Sequence, residues 1–434
     1  MLICQAQILL PDGNLFLGDV RIDNGQIVQI ASEIIPTETD KVIDATGLTL
    51  LPGVIDPQVH FREPGLEYKE DLSTASRACA RGGVTSFLEM PNTKPLTTTQ
   101  AALDDKLQRA AEKCLVNYGF FIGATAANLP DLTTANPTCG IKIFMGSSHG
   151  ALLVSQSAEI EPIFATGKRL IAVHAEDQER IIERRKQFSD KSNPALHSEI
   201  QDEQAALNAT KLALKLSKKY QRRLHILHLS TGIEAELLRQ DKPSWVTAEV
   251  TPQHLLLNTD AYANLGTLAQ MNPPLRSPEN NAVLWQALLD GVIDFIATDH
   301  APHTLSEKAQ GYPNSPSGMP GVETALPLML TQAMKGKCSV AQVSNWMSAA
   351  VAKAYGILNK GAISVGYDAD LVLVDLNNYR PVLREELQTK CGWSPFEGWK
   401  LTGWPVVTIV GGQVAYEQGV LYSEVRGKAL SFAQ

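Results

Sequence analysis

The sequence predicts an α/β protein: a TIM (β/α)8 barrel with a small β-sandwich domain assembled from both chain ends. Three observations carry this expectation. Short apolar runs alternate with longer helical patterns through the middle of the chain, both ends read as hairpin-linked strands, and polar residues close the middle runs at their C-terminal ends. The expected boundaries are 1–53 for the first part of the sandwich, 54–361 for the barrel and 362–434 for the second part.

At the amino end, the runs 18–23 and 26–30 are separated by Asn24 and Gly25, a turn pair. The carboxyl end has the same texture, with runs 369–375, 406–410 and 413–416 and a turn at Gly411 and Gly412. Between them the strand candidates are 54–61, 84–90, 116–122, 140–145, 170–174, 224–228, 245–250 and 293–299. Helical patterns over 98–113, 203–219 and 283–290 lie between these runs, as repeated βα units require.

Composition narrows the function. With 44% hydrophobic and 19% charged residues, 434 residues can build a sizeable core. A formal net charge of -8 and the lack of any basic run argue against nucleic acid and against an anionic membrane surface, leaving a small-molecule substrate. The six cysteines are scattered without a C-x-x-C pair and read as reduced thiols. The apolar start, residues 1–10, lacks a basic flank and is turned by Pro11, Asp12 and Gly13 before reaching membrane-spanning length, so a cytoplasmic location is expected.

Chemistry concentrates at the strand ends. His60, Lys142, His174, His228 and Asp299 close the first, fourth, fifth, sixth and eighth candidate strands and would converge on one mouth. A side-chain period of two puts Gln58, His60 and Arg62 on one face, and lets only one of His225 and His228 point inward. The inward role falls to His228. Any one of these histidines is as readily a satisfied core residue, but their joint placement at strand ends points to a metal site.

The motifs are Gln58-Val-His-Phe-Arg-Glu-Pro-Gly65, Glu89-Met-Pro-Asn-Thr93, Ile141-Lys-Ile-Phe-Met-Gly146, His174-Ala-Glu176, His228-Leu-Ser-Thr231, Asn272-Pro-Pro-Leu-Arg276, Thr298-Asp-His-Ala-Pro-His303 and Gly366-Tyr-Asp-Ala-Asp-Leu371. In their order and strand placement they resemble the amidohydrolase superfamily, and within it the dihydroorotases, over nearly the whole length. The resemblance implies one or two divalent ions per chain, commonly Zn2+, whose shared hydroxide attacks a ring amide. It implies His174 and His228 as ligands of one metal, His60 and Asp299 of the other, with Lys142 bridging as a carbamate, since an ammonium of pKa about 10.4 cannot ligate. The alternative for Lys142 is an inward lysine paired with Asp299.

Asp299 would also shuttle the proton from attacking water to leaving nitrogen. Arg62, Asn92 and His303 are expected to clamp a substrate carboxylate, Asn272 to bond the pyrimidine ring, and Arg276 to support its loop. A salt bridge to Glu63 or Glu67 is the plainer reading of Arg62. The implied reaction is reversible cyclisation of N-carbamoyl-L-aspartate to L-dihydroorotate and water in pyrimidine biosynthesis. Dihydropyrimidinase, hydantoinase and allantoinase activities are neighbouring alternatives. A homo-oligomer such as a dimer, and association with another pyrimidine-pathway enzyme, are the partner expectations.

The other histidines carry less. His149, His197 and His225 read as structural or exposed, and His254 and His300 as packing residues or supports of the metal ligands. The Pro/Ser/Gly-rich segment 307–318 would lie over the mouth and close on substrate. One position departs from the family: Gln58 stands where its His-x-His motif has the first histidine. A neutral amide is a poor metal ligand, so Gln58 implies a weakened second metal, a weak amide ligand, or a non-catalytic relative serving as a partner protein.

Overall fold

The computed structural model describes residues 1–147, 150–188 and 192–433. The barrel strands are Val54–Val59, Val84–Glu89, a third broken at Phe121 into Asn117–Phe120 and Ile122–Gly123, Ile141–Phe144, Ile171–His174, Leu224–Ile226, Val246–Val250 and Phe295–Ile296. Neighbours pair in parallel around the ring. The first strand closes on the eighth through a parallel bridge of Val59 with His300, where His60 N–H donates to the His300 carbonyl at 2.8 Å.

The strands are buried on both faces, which is why they read as unbroken apolar runs and not as alternating ones. Ile55, Leu88, Phe121, Ala172 and Phe295 form one cluster with Tyr355. Residues contributed from so many strands of the ring meet only across its axis, so the interior is packed. The eighth strand is shorter than the run 293–299 because the chain turns at Asp299, whose φ is 47°.

The helices start where caps dictate. Thr99 accepts from Ala102 N–H ahead of Gln100–Lys113, and Asp202 from Ala205 N–H ahead of Glu203–Tyr220. The third expected helix begins earlier than residue 283, at Pro278, a residue suited to the first turn because it has no N–H to leave unpaired.

The two chain ends share one sheet. Its order runs Val420–Leu421, Gln413–Glu417, Trp404–Val410, Leu371–Asp375, Thr49–Pro52, Leu2–Leu9, Leu15–Asp23, Gln26–Ala31, with Val42–Asp44 beside Leu2–Leu9. Thr49–Pro52 against Leu371–Asp375 joins the ends, and Ile3, Ile8, Val20, Leu371 and Ile409 are part of its separate core. Part of the C-terminal region turns back to the barrel. Trp393, Phe396 and Leu401 pack with Met319 and Leu328, and the tail places Ala429 beside Tyr118 of the third barrel strand. All six cysteines are free, and no helix among the described residues is long and apolar enough to cross a membrane.

Glu323 ties this C-terminal region to the barrel. It accepts from the backbone N–H groups of Gln388 and Thr389 and faces Arg81 at 3.3 Å. Burial pushes its carboxyl from 4.5 up to about 7. The unfolded chain therefore releases this proton first, and the stability the group contributes below pH 4.5 is lost as pH rises to about 7. Melting temperatures of Glu323→Gln and the parent should converge or cross in favour of the variant over that window; parallel curves would contradict this.

Candidate active site

A cavity of about 210 Å³ opens at the C-terminal ends of the barrel strands. Gln58, His60, Arg62, Asn92, Lys142, His174, His228, Asn272, Asp299 and His303 all line it, so every expected site residue reaches one space. Phe144, Ser147, Ala301, Ser317 and Gly318 complete the wall.

The backbone works to bring them there. Arg62, Ser147, His228 and Asp299 have φ of 68°, 54°, 35° and 47°, a left-handed conformation that non-glycine residues adopt at a cost. Each follows a strand end, and the reversal turns a side chain back over the barrel mouth. Asp56 supports one of these turns, accepting from Thr298 N–H at 3.1 Å and Thr298 O–H at 2.5 Å, immediately before Asp299. Burial raises the Asp56 carboxyl to about 7.

The candidate ligands stand as two pairs with a lysine. His60 Nδ1 lies 2.7 Å from Asn92 Oδ1, an acceptor only, so the ring proton sits on Nδ1. His60 Nε2 is then a bare lone pair facing Asp299 Oδ1 at 3.1 Å, and burial favours the neutral ring. Two acceptors so placed call for a cation. On the other side, His174 Nε2 donates to Glu176 Oε2 at 2.7 Å, and its Nδ1 faces His228 Nε2 at 2.9 Å. A carboxylate behind an imidazole is the support that metal-binding histidines commonly have. His228 Nδ1 is buried without a partner.

Lys142 is also buried, and among the described residues its Nζ has no hydrogen-bond partner. It is not paired with Asp299; its Nζ lies over the Phe144 ring, 4.5 Å from the centroid. Burial lowers the amine to about 7. Gln58 donates from Nε2 to Asp299 Oδ1 at 3.1 Å, and its Oε1 is buried and unpaired. Among the described residues no three His, Cys, Asp or Glu side chains converge as a complete metal triad, but the bare His60 nitrogen and the orphaned polar atoms suit a cation set between the pairs.

Beside this cluster lies a cationic corner. Arg62 donates from Nε to the Pro302 carbonyl at 3.1 Å and its NH2 lies 3.2 Å from His303 Nε2. It bonds neither Glu63, which pairs with Lys113 and Arg109, nor Glu67, which accepts from Gly65 N–H. Burial lowers the guanidinium only to about 10, so it stays charged.

The model of the amidohydrolase family matches residues 49–415. The chain belongs to the amidohydrolase family. Amidohydrolases of this kind are metal-dependent hydrolytic enzymes, and this chain is one. The amidohydrolase is 36% identical over 428 residues to a dihydroorotase of Methanosarcina mazei, covering 95% of this chain and 93% of the relative. It is 35% identical over 435 residues to a dihydroorotase of Bacillus subtilis, covering 97% and 99%. Among solved structures, an L-hydantoinase (dihydropyrimidinase) from Arthrobacter aurescens superposes with TM-score 0.92 at 30% identity over 97% of each chain. A dihydropyrimidinase from Brevibacillus agri gives 0.91 at 26% identity over 100% of this chain and 99% of that one.

Several expectations about the amidohydrolase's other histidines change. His197 is not a surface residue: it is buried, and its Nε2 donates to Met271 O at 3.0 Å and Asn272 Oδ1 at 2.8 Å, holding the ring-binding candidate in place. His225 does not face away from the interior. It stacks on Phe295 within the barrel at 4.8 Å and meets Glu249 at 3.0 Å, beneath the cavity that His228 lines. Alternation fails here because the strand stops at Ile226 and His228 turns left-handed.

His254 is satisfied by Thr251 and the Pro273 carbonyl, whereas His300 accepts from Gly321 N–H at Nδ1 and keeps a buried Nε2 without a hydrogen bond among the described residues, 3.6 Å from Glu70 Oε2. Arg276 holds its loop through Ser230 and the Gln201 carbonyl. The segment 307–318 reaches the mouth through Ser317 and Gly318, but is fastened by Lys308 Nζ, which donates to Gln270, Pro316 and Gly318 carbonyls at 3.0, 2.8 and 3.1 Å. His149 lies outside the described residues.

An orphaned buried amine costs stability that only function explains. Lys142→Met should leave the metal-free amidohydrolase as stable or more stable, by about 1–3 kcal/mol, while reducing turnover by orders of magnitude. Thermal unfolding and hydrolysis assays check both halves; a destabilised and fully active variant would contradict them.

Proposed function

We propose that this cytoplasmic amidohydrolase interconverts N-carbamoyl-L-aspartate and L-dihydroorotate, with Asp299 as the proton-transferring residue. The observation that carries the reading is Arg62, a buried guanidinium with no carboxylate partner among the described residues, beside His303 and across the same cavity from Asp299. A buried cation without a counter-ion is expensive, and a ring substrate bearing a carboxylate supplies one. The dihydroorotase names of the sequence relatives agree. The hydantoinase and dihydropyrimidinase names of the structural neighbours favour a cyclic amide without that carboxylate, and Arg62 argues against it.

His60 and Asp299 on one side and His174 and His228 on the other would hold divalent metal, with Zn2+ suited to this nitrogen and oxygen set, and Lys142 between them as a carbamate. Metal at these pairs would lower the pKa of water and polarise the ring carbonyl. Asp299 then has the proton work: the bond from Gln58 and the approach of His60 both fall on Oδ1, leaving Oδ2 to take a proton from the attacking water and return it to the departing ring nitrogen. Asn272, held by His197, would orient the ring, and Asn92 and His303 would share the carboxylate with Arg62. A non-catalytic partner protein has no physical need of this buried, unpaired polar set.

Approach to one equilibrium mixture from both L-dihydroorotate and N-carbamoyl-L-aspartate tests the reading. Arg62→Met should lower kcat/KM for dihydroorotate by about 100-fold or more, far more than for 5,6-dihydrouracil, the same ring without the carboxylate. A parent enzyme that prefers 5,6-dihydrouracil or hydantoin would overturn it.

A further inference from the structure

His303 sits among more donors than it can accept from. Arg62 NH2 lies 3.2 Å from its Nε2, Lys69 Nζ lies 3.1 Å from its Nδ1, and neither cation can accept a hydrogen bond. The acceptors nearby are Ser317 O, 3.0 Å from Nε2, and Glu307 Oε2, 3.8 Å from Nδ1. Two ring states therefore compete. With the proton on Nε2 the ring donates to Ser317 on its cavity side and accepts from Lys69; with the proton on Nδ1 it turns a lone pair toward Arg62 and the cavity and donates toward Glu307.

Lys69 decides between them twice over. Its ammonium donates to Nδ1, and at 2.8 Å it also neutralises Glu307, the described carboxylate that would draw a proton onto that nitrogen. Glu307 is itself fixed, accepting from the N–H of the N-cap Thr304 at 3.0 Å in the capping box of the helix Leu305–Lys308. Lys69 is buried and does not line the cavity, so it acts through His303.

We propose that Lys69 is a positioning residue that holds His303 as the neutral Nε2–H tautomer, so that the imidazole presents a donor and not a lone pair to the substrate's carboxylate. The desolvated ring, beside two cations, has its pKa lowered to about 3, in keeping with the neutral form. The inference rests on the carboxylate reading of Arg62 and His303 given above. It adds that a lysine remote in sequence sets which face of the ring that carboxylate meets.

The test reads the ring directly, by nitrogen NMR of the metal-loaded enzyme carrying 15N-histidine, with the His303 signals assigned by their loss in His303→Gln. The parent should show His303 neutral and protonated on Nε2. In Lys69→Met it should shift to the Nδ1–H tautomer or to imidazolium, with KM for L-dihydroorotate raised about tenfold and kcat changed less than about twofold. Lys69→Arg, which keeps a donor, should restore both. A parent ring protonated on Nδ1, an unchanged ring in Lys69→Met, or kcat and KM falling away together would overturn the proposal. Should Lys69→Met not fold, the ring state of the parent and of Lys69→Arg decides. A parent inert toward dihydroorotate would sink the substrate reading, while the NMR result would still judge Lys69.

Discussion

The seam between the first and eighth barrel strands is the constraint on which the rest depends. Over a few residues Asp56 binds Thr298, His60 N–H binds the His300 carbonyl, and Gln58 and His60 both reach Asp299 Oδ1. The same contacts that close the barrel hold Asp299, the proposed proton carrier. Because Asp299 is left-handed, its position is stable only while both strands grip the turn around it. Fold closure and site geometry are therefore one event.

Burial gives the site its character. Within one small cavity stand, among the described residues, a lysine amine without a hydrogen-bond partner, imidazoles turned toward one another and toward Asp299, and a guanidinium lacking a carboxylate. A protein selected only for stability would pair or remove such groups. Here they divide the cavity by charge preference: the histidine and aspartate side lacks a cation, and the Arg62 and His303 corner lacks an anion. A metal-dependent enzyme acting on a carboxylated cyclic amide satisfies both halves at once.

The barrel was legible because strands buried on both faces leave continuous apolar runs, and the residues ending those runs do meet at one mouth. What stayed hidden is non-local or conformational. His197 sits between Leu196 and Ser198 in a stretch that reads as surface, and nothing nearby announces its bond to Asn272 far along the chain. The left-handed turns at Arg62, His228 and Asp299 carry no glycine to signal them. At His228 that turn defeats the alternation rule, so both histidines of the sixth strand region enter the barrel at different depths. Lys69 belongs to none of the sequence motifs, and only the fold brings it to His303.

Gln58 makes the site asymmetric. Its amide nitrogen donates to the Asp299 oxygen that faces His60, and its unpaired Oε1 is a neutral ligand at best, whereas His174 and His228 face each other with a carboxylate behind one of them. The most direct measurement is divalent-metal content per chain after exhaustive dialysis, for the native protein and for Gln58→His. Retention of one ion by the native chain and of two by the variant is the predicted result; two ions held equally by both would contradict the account.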